Sequence, residues 1–311
     1  ATDLSDIAKV DGGGEPILWS RNNLLAGGPI QGFVGNRNPF AAIALFAAIV
    51  AVILLLERRI RLVDGLVTLA VAFAVHLLTQ SATVTVAAVY LTGLAIAALL
   101  IRRAQPSAKR ALSFGVLACT AIVAVLTLKF RAEIFAMFDR GPDATHRTRI
   151  WDQVVEFAWQ RPEGWGYVGY WPIWEDPYAT IVERAGVVAA HAHNAFLDAW
   201  LQLGFIGMAL LLVMVVLSFG SAWRLVERAG PGDTYIPLGW ALLTAALALQ
   251  ALTESRLLIE GGWFLLVVLY VSGPGVFTLT IVDPELVRTG APRDDAAQAE
   301  DPLTVLERRT G

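Results

Sequence analysis

Apolar residues in this chain come in long blocks, not in alternation. Blocks lie at about 40–56, 62–79, 84–101, 111–128, 195–223, 236–252 and 262–282. Each approaches or exceeds the ~18 residues that a bilayer-spanning helix needs. Membrane β-barrels show short segments of period two, and these blocks do not alternate. The pattern predicts an all-α integral membrane protein with about seven transmembrane helices. Five regions follow: a polar, glycine-rich segment 1–38, four helices within 39–128, a long hydrophilic insert 129–192, three helices within 193–282, and a tail 283–311. The chain begins at Ala1 with no basic start and no apolar core, so no signal peptide is read there. It is read as an N-terminally incomplete or processed chain with helices upstream.

Local signals refine the blocks. Asn38 before Pro39 suits the start of the first helix. Asn194 is a good N-cap for the fifth block, which has room to break near Gly204 and Gly207. Gly273-Pro274-Gly275 should kink the seventh. Inside the insert, 152–160 reads as a short amphipathic helix stopped by Arg161-Pro162, and 164–169 as a glycine-rich turn. Its tryptophans and tyrosines suit a membrane interface. The charged, Ala- and Pro-rich tail reads as disordered and cytoplasmic.

Composition agrees. The chain is 56% hydrophobic and 16% charged, against about a quarter charged in soluble domains. A net charge of −3 gives no reason to expect a nucleic-acid partner. Cys119 is the lone cysteine, so there is no disulfide framework. Short-loop charge sets orientation. Arg58/Arg59/Arg61, Arg102/Arg103/Lys109/Arg110 and Arg224/Arg228 follow the first, third and fifth blocks, so these loops face the cytoplasm. The insert, the Asn36-Arg37-Asn38 stretch and His193 then share the outer side.

That side holds Arg37, Arg147, Arg149, Arg256, His191 and His193. Arginine matches phosphate with two parallel hydrogen bonds and stays charged, so the cluster suits a lipid diphosphate. His193 lies beside a helix N-terminus, which disfavours the imidazolium and leaves a neutral ring able to act as a general base. Group transfer from a lipid phosphate follows as one reading. The plainer reading makes Asn194 a cap, the histidines solvated, and each arginine a headgroup contact or the partner of an insert acid. His191 and His193 at i, i+2 could point the same way and Asp198 is nearby, but no third ligand has diagnostic spacing, so no metal is expected. No nucleotide-binding or nucleophile-elbow motif occurs. His76, within the second block, reads as a buried neutral histidine satisfied by neighbouring helices.

Several motifs in order carry a resemblance: Gly35-Asn36-Arg37-Asn38-Pro39-Phe40-Ala41, Arg147-x-x-x-Trp151, Arg161-Pro162-x-Gly164-x-Gly166, His193-Asn194-x-Phe196-Leu197 and Leu203-Gly204-Phe205-Ile206-Gly207. Over about 32–270 the chain resembles the O-antigen ligase/polymerase family. The resemblance implies a GT-C-like glycosyltransferase of the bacterial inner membrane, with its long loop and active site facing the periplasm. The implied donor is a glycan on undecaprenyl diphosphate, and the implied acceptor is lipid A-core or another glycan. No cofactor, metal or nucleotide is implied. His193 takes the place of the residue that activates the acceptor hydroxyl, and Arg147 that of the residue that stabilises the departing diphosphate. Arg37, Arg149, Arg256, Asn194 and His191 are the further substrate-binding candidates. The family usually has Ser-Arg at the outward end after the second helix, where this chain has Ser81-Ala82. A diphosphate-binding cation is thus missing, and activity depends on whether Arg37, Arg149 or Arg256 substitutes.

Two other readings compete. A lipid or polysaccharide transporter would make His76 essential, drawing on the broken seventh block. A non-catalytic scaffold of a polysaccharide assembly complex would tolerate loss of both His193 and Arg147.

Overall fold

In the computed structural model, residues 28–34, 36–129, 147–186 and 188–273 are described. All regular structure among them is helical. The helices are α1 Arg37–Leu56, α2 Leu62–Thr79, α3 Ala82–Arg103, α4 Pro106–Lys129, α5 Arg147–Gln160, α6 Tyr178–Ala185, α7 Ala195–Arg228, α8 Ile236–Ala251 and α9 Glu260–Ser272. Among the described residues, α1, α2, α3 and α7 are long and apolar enough to cross a membrane. α8 and α9 are apolar but shorter, at 16 and 13 residues. The expected kink at Gly273-Pro274-Gly275 and the tail lie outside the described residues, apart from Gly273, which caps α9.

Hydrogen bonds between helix ends show how the bundle is arranged. At one end Arg102 donates to the carbonyls of Gly230, Asp233 and Thr234 at 2.6–3.0 Å, and Lys109 to that of Ala229 at 2.6 Å. Glu57 accepts there from the Thr234 hydroxyl and the Tyr235 amide. The three basic loops therefore gather at one end. Between the ends, Ile49, Leu91, Leu94, Ala98, Trp223 and Leu238 fill a core shared by α1, α3, α7 and α8. Outward positions such as Val67, Phe73, Val89 and Val216 stay exposed, as a lipid-facing surface requires.

Two helix starts differ from the sequence expectation. α1 begins at Arg37 because Asn36, not Asn38, is the cap; its side chain accepts from the Asn38 amide. The Asn38 side chain is thereby released for a distant contact. α5 begins at Arg147, not 152, so Arg147 and Arg149 stand on a helix.

The described part of the insert folds as a cap with its own core. Ile150, Val154 and Phe157 on α5 pack with Tyr178 and Ile181 on α6, a helix the sequence reading missed, and with Trp171 and Leu201. Trp171 and Tyr178 are therefore buried, while Trp159 and Trp174 remain exposed as interface anchors would be.

The cap is tied to α7 at the break anticipated near Gly204. Gly204 sits at φ 72, ψ −175, a region open essentially to glycine. The helix therefore loses its bond from the Phe205 amide to the Leu201 carbonyl. The cap replaces it: Phe205 N donates to Pro162 O, Trp165 N to Leu201 O and Gly166 N to Gln202 O, each at 2.9 Å. Gly164 meets Gly204 backbone to backbone, which leaves no room for a side chain at either position. The Arg161-Pro162-x-Gly164-x-Gly166 motif is thus a clasp on a kinked helix.

Candidate functional site

At the end opposite the basic loops, three separate segments converge on one carboxylate. Glu254 lies between α8 and α9 and is 4% exposed. Its Oε1 accepts from Arg147 at 3.0 Å and from Asn38 Nδ2 at 3.1 Å. Its Oε2 lies 3.2 Å from His193 Nδ1. The Ser81 hydroxyl donates to Asn38 Oδ1 at 2.9 Å while its oxygen caps α3 at Val84 N. The network therefore runs from the start of α3 through the start of α1 to the end of α8, then to α5 and the start of α7.

Each member is held by local structure. His193 has φ 51, a left-handed conformation unusual outside glycine, just before the Asn194 cap. Asn194 Oδ1 accepts from the amides of Phe196 and Leu197, so this side chain is committed to capping α7. The His193 amide donates to His191 Nδ1 at 3.1 Å, and the two rings lie 4.2 Å apart. Below, Trp151 Nε1 donates to Ala192 O, and buried Asp198 accepts from Trp171 Nε1 and the Ala192 amide. Asp198 also accepts from Gln202, whose Oε1 takes the amides of Val168 and Gly169. Asp198 is a strut under the His191–Asn194 turn rather than a member of the polar cluster.

Electrostatics follow from these contacts. Burial alone would raise the Glu254 carboxyl, but the His193 hydrogen bond and the charges of His193 and Arg147 outweigh it and hold Glu254 at about 2. Burial, reinforced by the charges of His193, Arg256 and Arg147 against that of Glu254, lowers His191 to about 4. His191 is therefore neutral near pH 7 and serves as an acceptor that fixes the His193 backbone. An ionised carboxylate at Nδ1 places the proton of a neutral His193 on that nitrogen and leaves Nε2 as its lone-pair acceptor.

The sequence candidates separate accordingly. Arg147 and His193 meet through Glu254, and His191 and Asn194 hold the turn. Arg256 lies close enough for its charge to act on His191. Arg37 opens α1 beside Asn38, and Arg149 is exposed on α5. Ala82 is the first residue of α3, next to Ser81, so the position where the resemblance expects an arginine lies at the edge of this network. His76 is half-buried, and Thr85 Oγ1 on α3 lies 3.2 Å from its Nε2. It is partnered by a neighbouring helix, as expected, though less buried.

Sequence reasoning missed Glu254 and the linking role of Asn38. The only sequence signal for Glu254 was an acid in a short polar loop between two apolar blocks. It also changes the metal argument: His191, His193 and Glu254 bring possible ligand atoms within 4.8 Å of one another. The third donor absent from local spacing comes from a distant loop. Both Glu254 oxygens already have nitrogen partners, so a cation there would compete with Arg147 and His193.

The family model described as O-antigen ligase matches residues 66–212, which include Ser81, Arg147 and His193. Over 232 residues the chain is 29% identical to the exopolysaccharide production protein ExoQ of Rhizobium meliloti (strain 1021), covering 70% of this chain and 51% of that protein. The chain thus spans about half the length of the curated relative it matches. No solved structure matches.

Proposed function

Both comparisons support an O-antigen ligase/polymerase-like family for this multi-pass membrane chain, and from that premise we infer that it is a glycosyltransferase working at the end of the bundle that carries Glu254. The donor is a glycan on undecaprenyl diphosphate, and the fold is of the GT-C type with about seven spans. The cap faces the periplasm from the bacterial inner membrane. The observation that carries the reading is the Glu254 carboxylate holding His193 on one oxygen and Arg147 on the other.

The chemistry follows from that arrangement. Glu254 keeps the His193 proton on Nδ1, and Nε2 accepts the proton of the acceptor hydroxyl. The freed oxygen attacks the anomeric carbon of the donor sugar. The bond from that carbon to the diphosphate oxygen breaks, and its electron pair leaves with the lipid diphosphate. Arg147, with Arg256 and Arg37 nearby, supplies positive charge for the departing group. Neither a metal nor a nucleotide takes part in this scheme.

For the acceptor, the O-antigen ligase description points to lipid A-core, and the exopolysaccharide relative to a second glycan chain. The test is transfer from an undecaprenyl-diphosphate glycan by reconstituted protein, with each acceptor supplied in turn. Product with either acceptor supports the reading and selects ligase or polymerase; product with neither overturns it.

A further inference from the structure

A groove of about 1050 Å³ runs between α4 on one side and α7 and α8 on the other. Its walls include Leu94, Leu117, Val215, Phe219 and Leu249, and it reaches Phe196 near the Glu254 end. It opens on the outside of the bundle, since its lining residues Phe114 and Val216 are 70% and 58% exposed. At the basic-loop end its mouth is ringed by Lys109, Arg110, Arg224 and Arg228, with Glu227 as the one acid among the lining residues. Lys109 holds the Ala229 carbonyl, and Arg110 lies 4.0 Å from Glu227.

Trp223, Ser113 and Thr244 also line the groove, but their polar atoms are closed off beneath its surface. The walls therefore offer an occupant apolar contact, and the mouth offers positive charge.

We propose that this groove binds one anionic glycerophospholipid from the leaflet on the basic-loop side. Its phosphate sits among Arg110, Arg224 and Arg228, and one acyl chain lies along α7 and α8. Charge complementarity at the mouth favours an anionic headgroup over a zwitterionic one. The headgroup end of the groove lies at the opposite end of the bundle from Glu254, and the proposal does not depend on the transferase reading.

The test is native mass spectrometry of the full chain, purified in detergent and titrated with phosphatidylglycerol or phosphatidylcholine of identical acyl chains. The expected result is one tightly held phosphatidylglycerol and much weaker phosphatidylcholine. Combined R110Q, R224Q and R228Q should weaken phosphatidylglycerol binding on the order of a hundredfold, at roughly a factor of five per cation. Equal affinity for both lipids, or no effect of the arginine variants, overturns the proposal. So does displacement of phosphatidylglycerol by undecaprenyl diphosphate, which would assign the groove to the donor. Absence of retained phosphatidylglycerol also overturns it.

Discussion

His193 and Glu254 meet through Nδ1 and Oε2 at 3.2 Å, although 61 residues separate them in the chain. The contact commits Nδ1 of His193 to the carboxylate and leaves Nε2 as the acceptor of a neutral ring. Replacing the carboxylate by an amide keeps the shape and removes the charge. Glu254→Gln should therefore lower transfer by about 10²-fold or more, as in other pairs where an acid orients a histidine base. Transfer assays on membrane-inserted protein check this, and a transfer rate within about twofold of the unaltered chain would show that His193 works without the acid.

The Ala82 position gives a gain-of-function prediction. Ala82 opens α3 beside Ser81, which donates to Asn38, which donates to Glu254. An arginine there would bring a second cation to the edge of the network. Ala82→Arg should raise transfer or lower the KM for the lipid diphosphate, read from initial rates against donor concentration. No change in either would assign the diphosphate to Arg37, Arg149 or Arg256.

Stability should depend on pH through His191. Its folded pKa of about 4 lies below the ordinary 6.5, so the unfolded chain binds the proton first. The contribution is complete above pH 6.5 and is lost as pH falls towards 4. His191→Asn retains an acceptor for the His193 amide and does not titrate. Thermal unfolding in detergent should show the variant with a shallower loss of Tm between pH 6.5 and 5, and parallel curves would remove His191 as the cause.

The clasp at the kink predicts an intolerance to any side chain. Gly204→Ala would force a β-carbon into the Pro162 carbonyl at a φ of 72. The expected loss is about 2–4 kcal/mol, with the cap released from α7. Limited proteolysis between 161 and 170 reads the release directly, and unchanged protection would contradict the clasp.

The three converging donors make metal dependence testable. Because Arg147 and His193 occupy the Glu254 oxygens, transfer should survive EDTA, and added Zn²⁺ should inhibit it by displacing them. Loss of activity in chelator with recovery in Zn²⁺ would make the cluster a metal centre instead.

Much of the architecture was legible because membrane helices announce themselves through apolar blocks. The 62–79 block matches α2 to the residue, and the Asn194 cap and the Gly204 break follow from local chemistry. The site was only half legible. His193 and Arg147 stand in recognisable motifs, whereas Glu254 stands in none and acquires its place from how α8 ends beside α1, α5 and α7. The Asn38 role was hidden by a two-residue error in the helix start, since a residue assigned as a cap is not free to reach elsewhere. α6 is eight residues long and too short for periodicity to reveal.

The most direct measurement of the central claim is transfer from undecaprenyl-diphosphate glycan by His193→Ala in proteoliposomes, without added metal or nucleotide. The account predicts loss of transfer by at least about 10²-fold while the variant inserts and unfolds at a temperature close to that of the unaltered chain. Full transfer by this variant would contradict it.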